Sequence, residues 1–154
     1  VYIRLGRSGV PTITDADAPF VIGKGRVMRE GSDVTLIGCG MMVAKALEAA
    51  DALAEEGVSA AVIDMSTIKP IDRELIVEWA KKTGAIVTAE EHNIIGGLGS
   101  AVAEVLVEEA LVPMERVGIE DVFGESGTGG ELVEKYRLTA EHIVEKAKRA
   151  MARK

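Results

Sequence analysis

A chain of 154 residues with 47% hydrophobic content is long enough to bury a core of its own, so one compact domain is expected. Its five aromatic residues leave that core to aliphatic side chains and alanine, and a net charge of −7 with a pI near 4.9 repels a phosphate backbone, which argues against nucleic acid as a partner. The single Cys39 rules out an intrachain disulfide and lacks a CxxC companion for structural zinc, so a reducing compartment, the cytoplasm, is the default, and no apolar run approaches the roughly 20 residues of a membrane span.

The opening "VYIRL" (residues 1–5) reads as a short strand, and residues 6–19, rich in Gly, Pro, Asp and Thr, read as a linker. The amino end carries no methionine and resembles a strand entered partway, so the chain is expected to be a piece of something longer. Residues 20–31, "FVIGKGRVMREG", place apolar side chains around Gly-Lys-Gly, as in a hairpin or a strand with a bulge.

From Ser32 the pattern alternates between strand and helix. "VTLIGCG" (residues 34–40) leads into a helix whose apolar stripe is Val43, Ala46, Leu47, Ala50, Leu53 and Ala54, closed at Gly57. "SAAVIDM" (59–65) is the next strand. Pro70 and Asp72 then suit the start of a helix running to Lys82, with Gly84 ending it. "AIVTAEE" (85–91) is a third strand, followed by a helix burying Val102, Val105, Leu106 and Ala110, and "RVGIED" (116–121) is a fourth. Helices are expected over 131–136 and from Thr139 to about Met151, the latter burying Ile143, Ala147 and Met151. Successive aliphatic strands with crossover helices imply a mainly parallel sheet covered on both faces.

Two glycine stretches invite a ligand. "GCGMMV" (38–43) follows a strand and opens a helix, as a dinucleotide fingerprint does, and Asp64 falls near the place of a ribose-binding acid. Val43 occupies the third glycine's place, and a tight strand-to-helix turn needs the first two glycines without any ligand. "EEHNIIGGLGSAV" (90–102) sits at the carboxyl end of a strand, where open α/β sheets bind ligands. There Glu91, His92, Gly96, Gly97 and Gly99 form either an interface or anion loop, or only a turn in which Glu90 and Glu91 meet cations or water. In "GESGTGG" (124–130), Ser126 is a further loop candidate, and it or Thr128 alternatively caps a helix. His92 and His142 lie too far apart for a metal pair, and no GxSxG elbow occurs, so neither a metal site nor hydrolase chemistry is expected.

Four stretches taken together, "VYIRLGRSGVP", "VIDMSTIKPID", "EEHNIIGGLGSAV" and "GIEDVFGESGTGGELVEKYRLTAEHIV", resemble the carboxyl-terminal part of transketolase and its thiamine-diphosphate relatives, in the same order and over nearly the whole chain. The resemblance implies a three-layer α/β/α sandwich on a five-stranded, mostly parallel sheet with one antiparallel strand. It makes residues 1–19 the end of a preceding pyrimidine-binding domain plus linker, and residues 20–154 the carboxyl-terminal domain. It implies transfer of two-carbon ketol units between sugar phosphates, with thiamine diphosphate and Mg2+ held by domains outside this chain and no catalytic residue within it.

The same resemblance matches Arg7 to an arginine that grips the sugar phosphate, a task suited to the forked guanidinium. Arg4, an odd number of residues away and so facing the other side of a continuous strand, is the weaker candidate. It also implies that this domain contributes subunit contacts, with the remaining transketolase domains or a separate amino-terminal subunit as partner, and homodimer contacts. Where relatives commonly have glycine, "KYRLT" carries Arg137, at a cost of order 1 kcal/mol if a left-handed backbone is kept. The alternatives are the last domain of deoxyxylulose-phosphate synthase or of a 2-oxo acid dehydrogenase β subunit. From a different class, a non-catalytic anion-binding or regulatory module would use the same glycine edges.

Overall fold

Short aliphatic runs punctuated by glycine form strands only when neighbours satisfy their backbone groups. The computed structural model, which describes residues 1–6 and 9–154, assembles them into one five-stranded sheet. The elements are β1 (Arg26–Arg29), β2 (Val34–Gly38), α1 (Met42–Glu55), β3 (Ala60–Asp64), α2 (Arg73–Thr83), β4 (Ile86–Asn93), α3 (Leu98–Glu109), β5 (Met114–Ile119), α4 (Gly129–Lys135) and α5 (Ala140–Met151). The strand order is β1-β3-β2-β4-β5, with β1 antiparallel to β3 and the other pairs parallel.

Because side chains alternate along a strand, each strand feeds both layers. On β2, Leu36 packs with α1 and α5 on one face and Ile37 with α2 and α3 on the other, which gives the three-layer α/β/α architecture that the resemblance implies. Alanines at 46, 49, 50, 147 and 150 are fully buried and allow α1, α5 and the sheet to approach closely. Burying a side chain such as Leu36, Ile37 or Leu53 contributes about 1.5–3 kcal/mol, so the two layers are the main source of stability.

Helix ends follow local chemistry. Asp72 accepts from the Leu75 N–H at 3.3 Å to cap α2, and Gly84 closes that helix at φ +70. Thr128 and Glu131 form a complete capping box on α4, while Thr139 caps α5 through the His142 N–H. Arg137 adopts φ +56, the left-handed conformation expected where relatives carry glycine. The Arg137 and Leu138 N–H groups donate to Glu134 and Val133 carbonyls, which completes a Schellman ending of α4 and seats Leu138 in the core.

Several expectations are corrected. Residues 1–5 are exposed and lie in no ladder, because no neighbouring strand among the described residues pairs with them. Over residues 20–31 it is the second of the two expected forms, a strand with a bulge, that is found: the chain turns through a Lys24 N–H to Val21 carbonyl bond, and β1 pairs with β3, with its bulge at Met28. On α1, Ala54 is exposed while Met42 and Ala49 are buried, because α1 sits between the sheet and α5 and its buried stripe is rotated toward both. Ala150 is fully buried in α5 and Met151 only partly. β4 runs on to Asn93, held by pairing with Ile119, and β5 begins at Met114 where it meets Ile86.

Candidate functional site

In the strand order, β2 leads through α1 to one side and β4 leads through α3 to the other, so the sheet has its switch point where the carboxyl ends of β2 and β4 lie side by side. The glycine loop and the acids singled out from the sequence meet there. Glu90 sits on β4 with only 2% of its surface exposed. Its carboxylate oxygens accept from the Leu98 N–H at 2.7 Å and the Gly99 N–H at 2.8 Å. These are the free donors that open α3, whose N-cap is Gly97 with no capping side chain. An internal carboxylate thus takes the position at the helix terminus that an anionic ligand would occupy.

Each of the three glycines has its own reason, and only Gly97 follows from this contact. A Cβ on Gly97 would lie 1.9 Å from Glu90 Oε2, and one on Gly99 would lie 2.8 Å from Cδ of Arg116 and 3.0 Å from the Thr88 hydroxyl oxygen. Gly96 stands at φ +79. The loop between is held by its own polar groups: Asn93 accepts from the Ile95 N–H and donates to Asp121, and Arg116 donates to the Ile94 carbonyl. Neither sequence reading of Glu90, a cation partner or a solvated acid, holds. The legible signal was a helix start with no Ser, Thr, Asp or Asn cap, which requires an acceptor from elsewhere.

Next to Glu90, Glu91 is half-exposed and His92 is exposed, its Nδ1 3.2 Å from the Asn93 carbonyl. His92 is the penultimate residue of β4, just before the loop. Arg4 donates from Nη2 to the Glu91 carbonyl at 2.9 Å and lies 3.9 Å from its carboxylate, which lays the amino-terminal segment on this edge. The inference that Arg4 faces away from Arg7 depended on a continuous strand, which does not form. Arg7 lies outside the described residues. Ser126 is exposed in the loop before α4, and the cap of that helix is Thr128.

Cys39, on the turn after β2, is largely enclosed. Burial, with the negative charge of Glu90 behind it, pushes its thiol up to about 12, so it stays protonated and unreactive at neutral pH. Asp64, at the end of β3, has its carboxyl raised by burial against the opposing effects of the Ser66 hydrogen bond and the Arg26 charge.

The described residues of this chain do not fit thiamine diphosphate and Mg2+. A diphosphate needs cations or free helix-terminal N–H groups, but Glu90 already fills the α3 donors, and among the described residues no Lys or Arg lines the carboxyl-edge cavity at the start of α1. Among the described residues no group of three or more His, Cys, Asp or Glu is placed to hold a metal ion. Nor does any described helix have the length and apolarity to cross a membrane.

Comparison with known proteins gives this geometry a context. The family described as "Transketolase, C-terminal domain" matches residues 23–143. The chain is 49% identical to a 6-deoxy-6-sulfo-D-fructose transketolase subunit of Clostridium sp. (strain MSTE9), over 100% of this chain and 48% of that protein. It is 44% identical to a 1-deoxy-D-xylulose-5-phosphate synthase of Trichormus variabilis, over 95% of this chain and 23% of that one. Among solved structures, a split-gene transketolase described as an inactive β4 tetramer superposes with a TM-score of 0.96 at 58% identity, covering 99% of this chain and 50% of that one. The chain thus spans about half the length of the transketolase subunits it matches.

Proposed function

The chain belongs to the transketolase C-terminal domain family, and on that premise we propose that it is the carboxyl-terminal part of a transketolase, a transferase moving two-carbon ketol units between sugar phosphates. In this reading it supplies architecture and subunit contacts, while thiamine diphosphate and Mg2+ are held by polypeptide outside it.

One observation carries the proposal. Of the fourteen large hydrophobic side chains exposed among the described residues, all but Val107 and Leu111 lie at the carboxyl edge of the sheet or on the amino-terminal segment laid along it. Ile95 and Val122 are more than half exposed there, and Phe123 is 96% exposed. An apolar face concentrated on one end of a domain marks a macromolecular interface, because water-exposed clusters of that kind are unfavourable in an isolated monomer. The partner is the remaining transketolase domains or a separate amino-terminal subunit, together with a second copy of this chain. The subunit relative and the tetrameric neighbour support both.

Residues 1–19 then act as the end of the preceding domain and its linker, and Arg7 contacts the sugar phosphate. Glu91 and His92 belong to the contact face, not to the chemistry. A second reading, the last domain of a deoxyxylulose-phosphate synthase, is supported by the 44% identical relative, although the chain covers less than a quarter of that protein.

The experiment reconstitutes the chain with a transketolase amino-terminal subunit, thiamine diphosphate and Mg2+, then follows ketol transfer and sedimentation. Phe123→Asp is expected to keep the fold by circular dichroism and to lose assembly and turnover together. His92→Ala should leave turnover within a few-fold of the parent, whereas a general acid or base at that position would contribute about 100-fold or more. Parent-like assembly of Phe123→Asp would refute the interface assignment.

A further inference from the structure

A second feature lies beside that contact face at the carboxyl edge. Parallel pairing of β2 with β3 puts Asp64 directly beside Gly38, so the acid at the end of one strand faces the strand-to-helix turn of the next. That turn is drawn tightly onto α1: a Cβ on Gly38 would lie 3.1 Å from backbone atoms of Met42 and Val43. Gly40, at φ +57, has open space where a side chain would project. Between this turn, the end of β3 and linker residues 10–14 lies a cavity of about 330 Å3. This is within the size range of small-ligand sites. Ile13 packs against the α1 side of the core and pins the linker wall in place.

The lining decides the ligand class. Asp64, Ser66, Thr12 and Thr14 give the lining its polar groups, while Met41, Val43 and Ile13 supply apolar surface. Ser66 Oγ donates to Asp64 Oδ1 at 2.8 Å, which holds the carboxylate in one orientation. Among the described residues no Lys or Arg lines the cavity, so these residues offer a phosphorylated ligand an acid and no cation. Val43 in the third glycine's place, with no cation among the described lining residues, is unsuited to the pyrophosphate of a dinucleotide. An acid at the end of the neighbouring strand, close hydroxyls and an apolar wall instead match a sugar ring, whose hydroxyls donate to a carboxylate while its C–H face packs on aliphatic groups. We propose that this crevice binds an unphosphorylated sugar ring through its vicinal diol, carried either by a free pentose or by a nucleoside.

The test is an amide NMR titration of the 154-residue chain with ribose, adenosine, 2′-deoxyadenosine and adenosine monophosphate. Saturable shifts confined to residues around Gly40, Met41 and Ser66 are expected with a ligand bearing the diol. Tighter binding of adenosine than of ribose identifies a nucleoside site, and equal or weaker binding identifies a free-sugar site. Loss of the 2′-hydroxyl should weaken adenosine binding about tenfold or more, as for a hydrogen bond to a charged group, and Asp64→Asn should do the same. Adding the phosphate should weaken it further. Ala44→Leu, which fills the crevice from α1, should abolish the local shifts while the rest of the spectrum reports an intact fold, and it serves if Asp64→Asn does not fold. Absence of saturable shifts with both ribose and adenosine would overturn the proposal. So would equal affinity for 2′-deoxyadenosine, or parent-like binding by the folded Ala44→Leu chain.

Discussion

Replacing Gly97 by alanine tests whether the Glu90 contact organises the carboxyl edge. The new methyl group would be placed 1.9 Å from Glu90 Oε2 and 2.8 Å from its Cδ, well inside van der Waals contact, so the carboxylate has to leave. Leaving breaks the bonds from Leu98 and Gly99 at 2.7 and 2.8 Å. Hydrogen bonds to a charged acceptor contribute about 1.5–3 kcal/mol each, so the loss of two is expected to be about 3–6 kcal/mol, a large share of the roughly 5–15 kcal/mol that stabilises a domain. Gly96→Ala is the control: its added Cβ meets no atom, and the cost is only that of a left-handed residue, about 1–2 kcal/mol. Urea denaturation of both variants measures the difference, and hydrogen exchange at Leu98 and Gly99 locates it. Glu90→Ala removes the obstruction, so adding Gly97→Ala in that background should cost less than about 1 kcal/mol, a coupling expected of residues in direct contact. If Gly97→Ala is as mild as Gly96→Ala, or costs the same with and without Glu90, the assignment of Glu90 as the internal anion is wrong.

Arg137→Gly should relieve the positive φ at the end of α4 and raise stability by about 0.5–1 kcal/mol in urea melts, the exposed pair with Glu145 offsetting part of the gain; a net loss would contradict the strain argument. Burial lowers the pKa of His142 from 6.5, against the opposing pull of Glu145. The folded chain therefore binds this proton less readily than the unfolded one. That penalty is absent above about pH 6.5 and grows as pH falls through the unfolded value, so His142→Gln should flatten the decline in urea midpoint between about pH 7.5 and 5.5. Over that range Glu145, whose pKa is lowered by His142 and Arg137, stays ionised. An unchanged pH profile would show that His142 does not contribute to it. Cys39, with its thiol near 12, should react with iodoacetamide at pH 8 about 100-fold or more slowly in the folded chain than in urea, and equal rates would place it in solvent.

Element type was legible wherever the local pattern was sufficient. Aliphatic runs marked β2, β3 and β4, and 3.6-residue spacing marked α1 and α3. Asp72, Gly84 and Thr139 announced helix ends because capping involves only near neighbours in the chain. The left-handed position of Arg137 came instead from the resemblance, since relatives commonly carry glycine there. The order of the strands, the pairing of β1 with β3 and the exposed state of residues 1–5 were not local properties. A strand is defined by the partner that accepts its hydrogen bonds, and that partner was 30 or more residues away. The candidate site shows the same division. The glycines at 96, 97 and 99 were visible, but the cause of Gly97 was Glu90, which resembles its neighbour Glu91 in sequence and differs only in the side of the strand it occupies. Sequence by itself determined the segments that form β2 to β5 and the helices between and after them. Only the tertiary structure decided which acid is buried, which faces water and which edge collects the exposed apolar side chains, because those outcomes depend on long-range packing and not on the identity of adjacent residues.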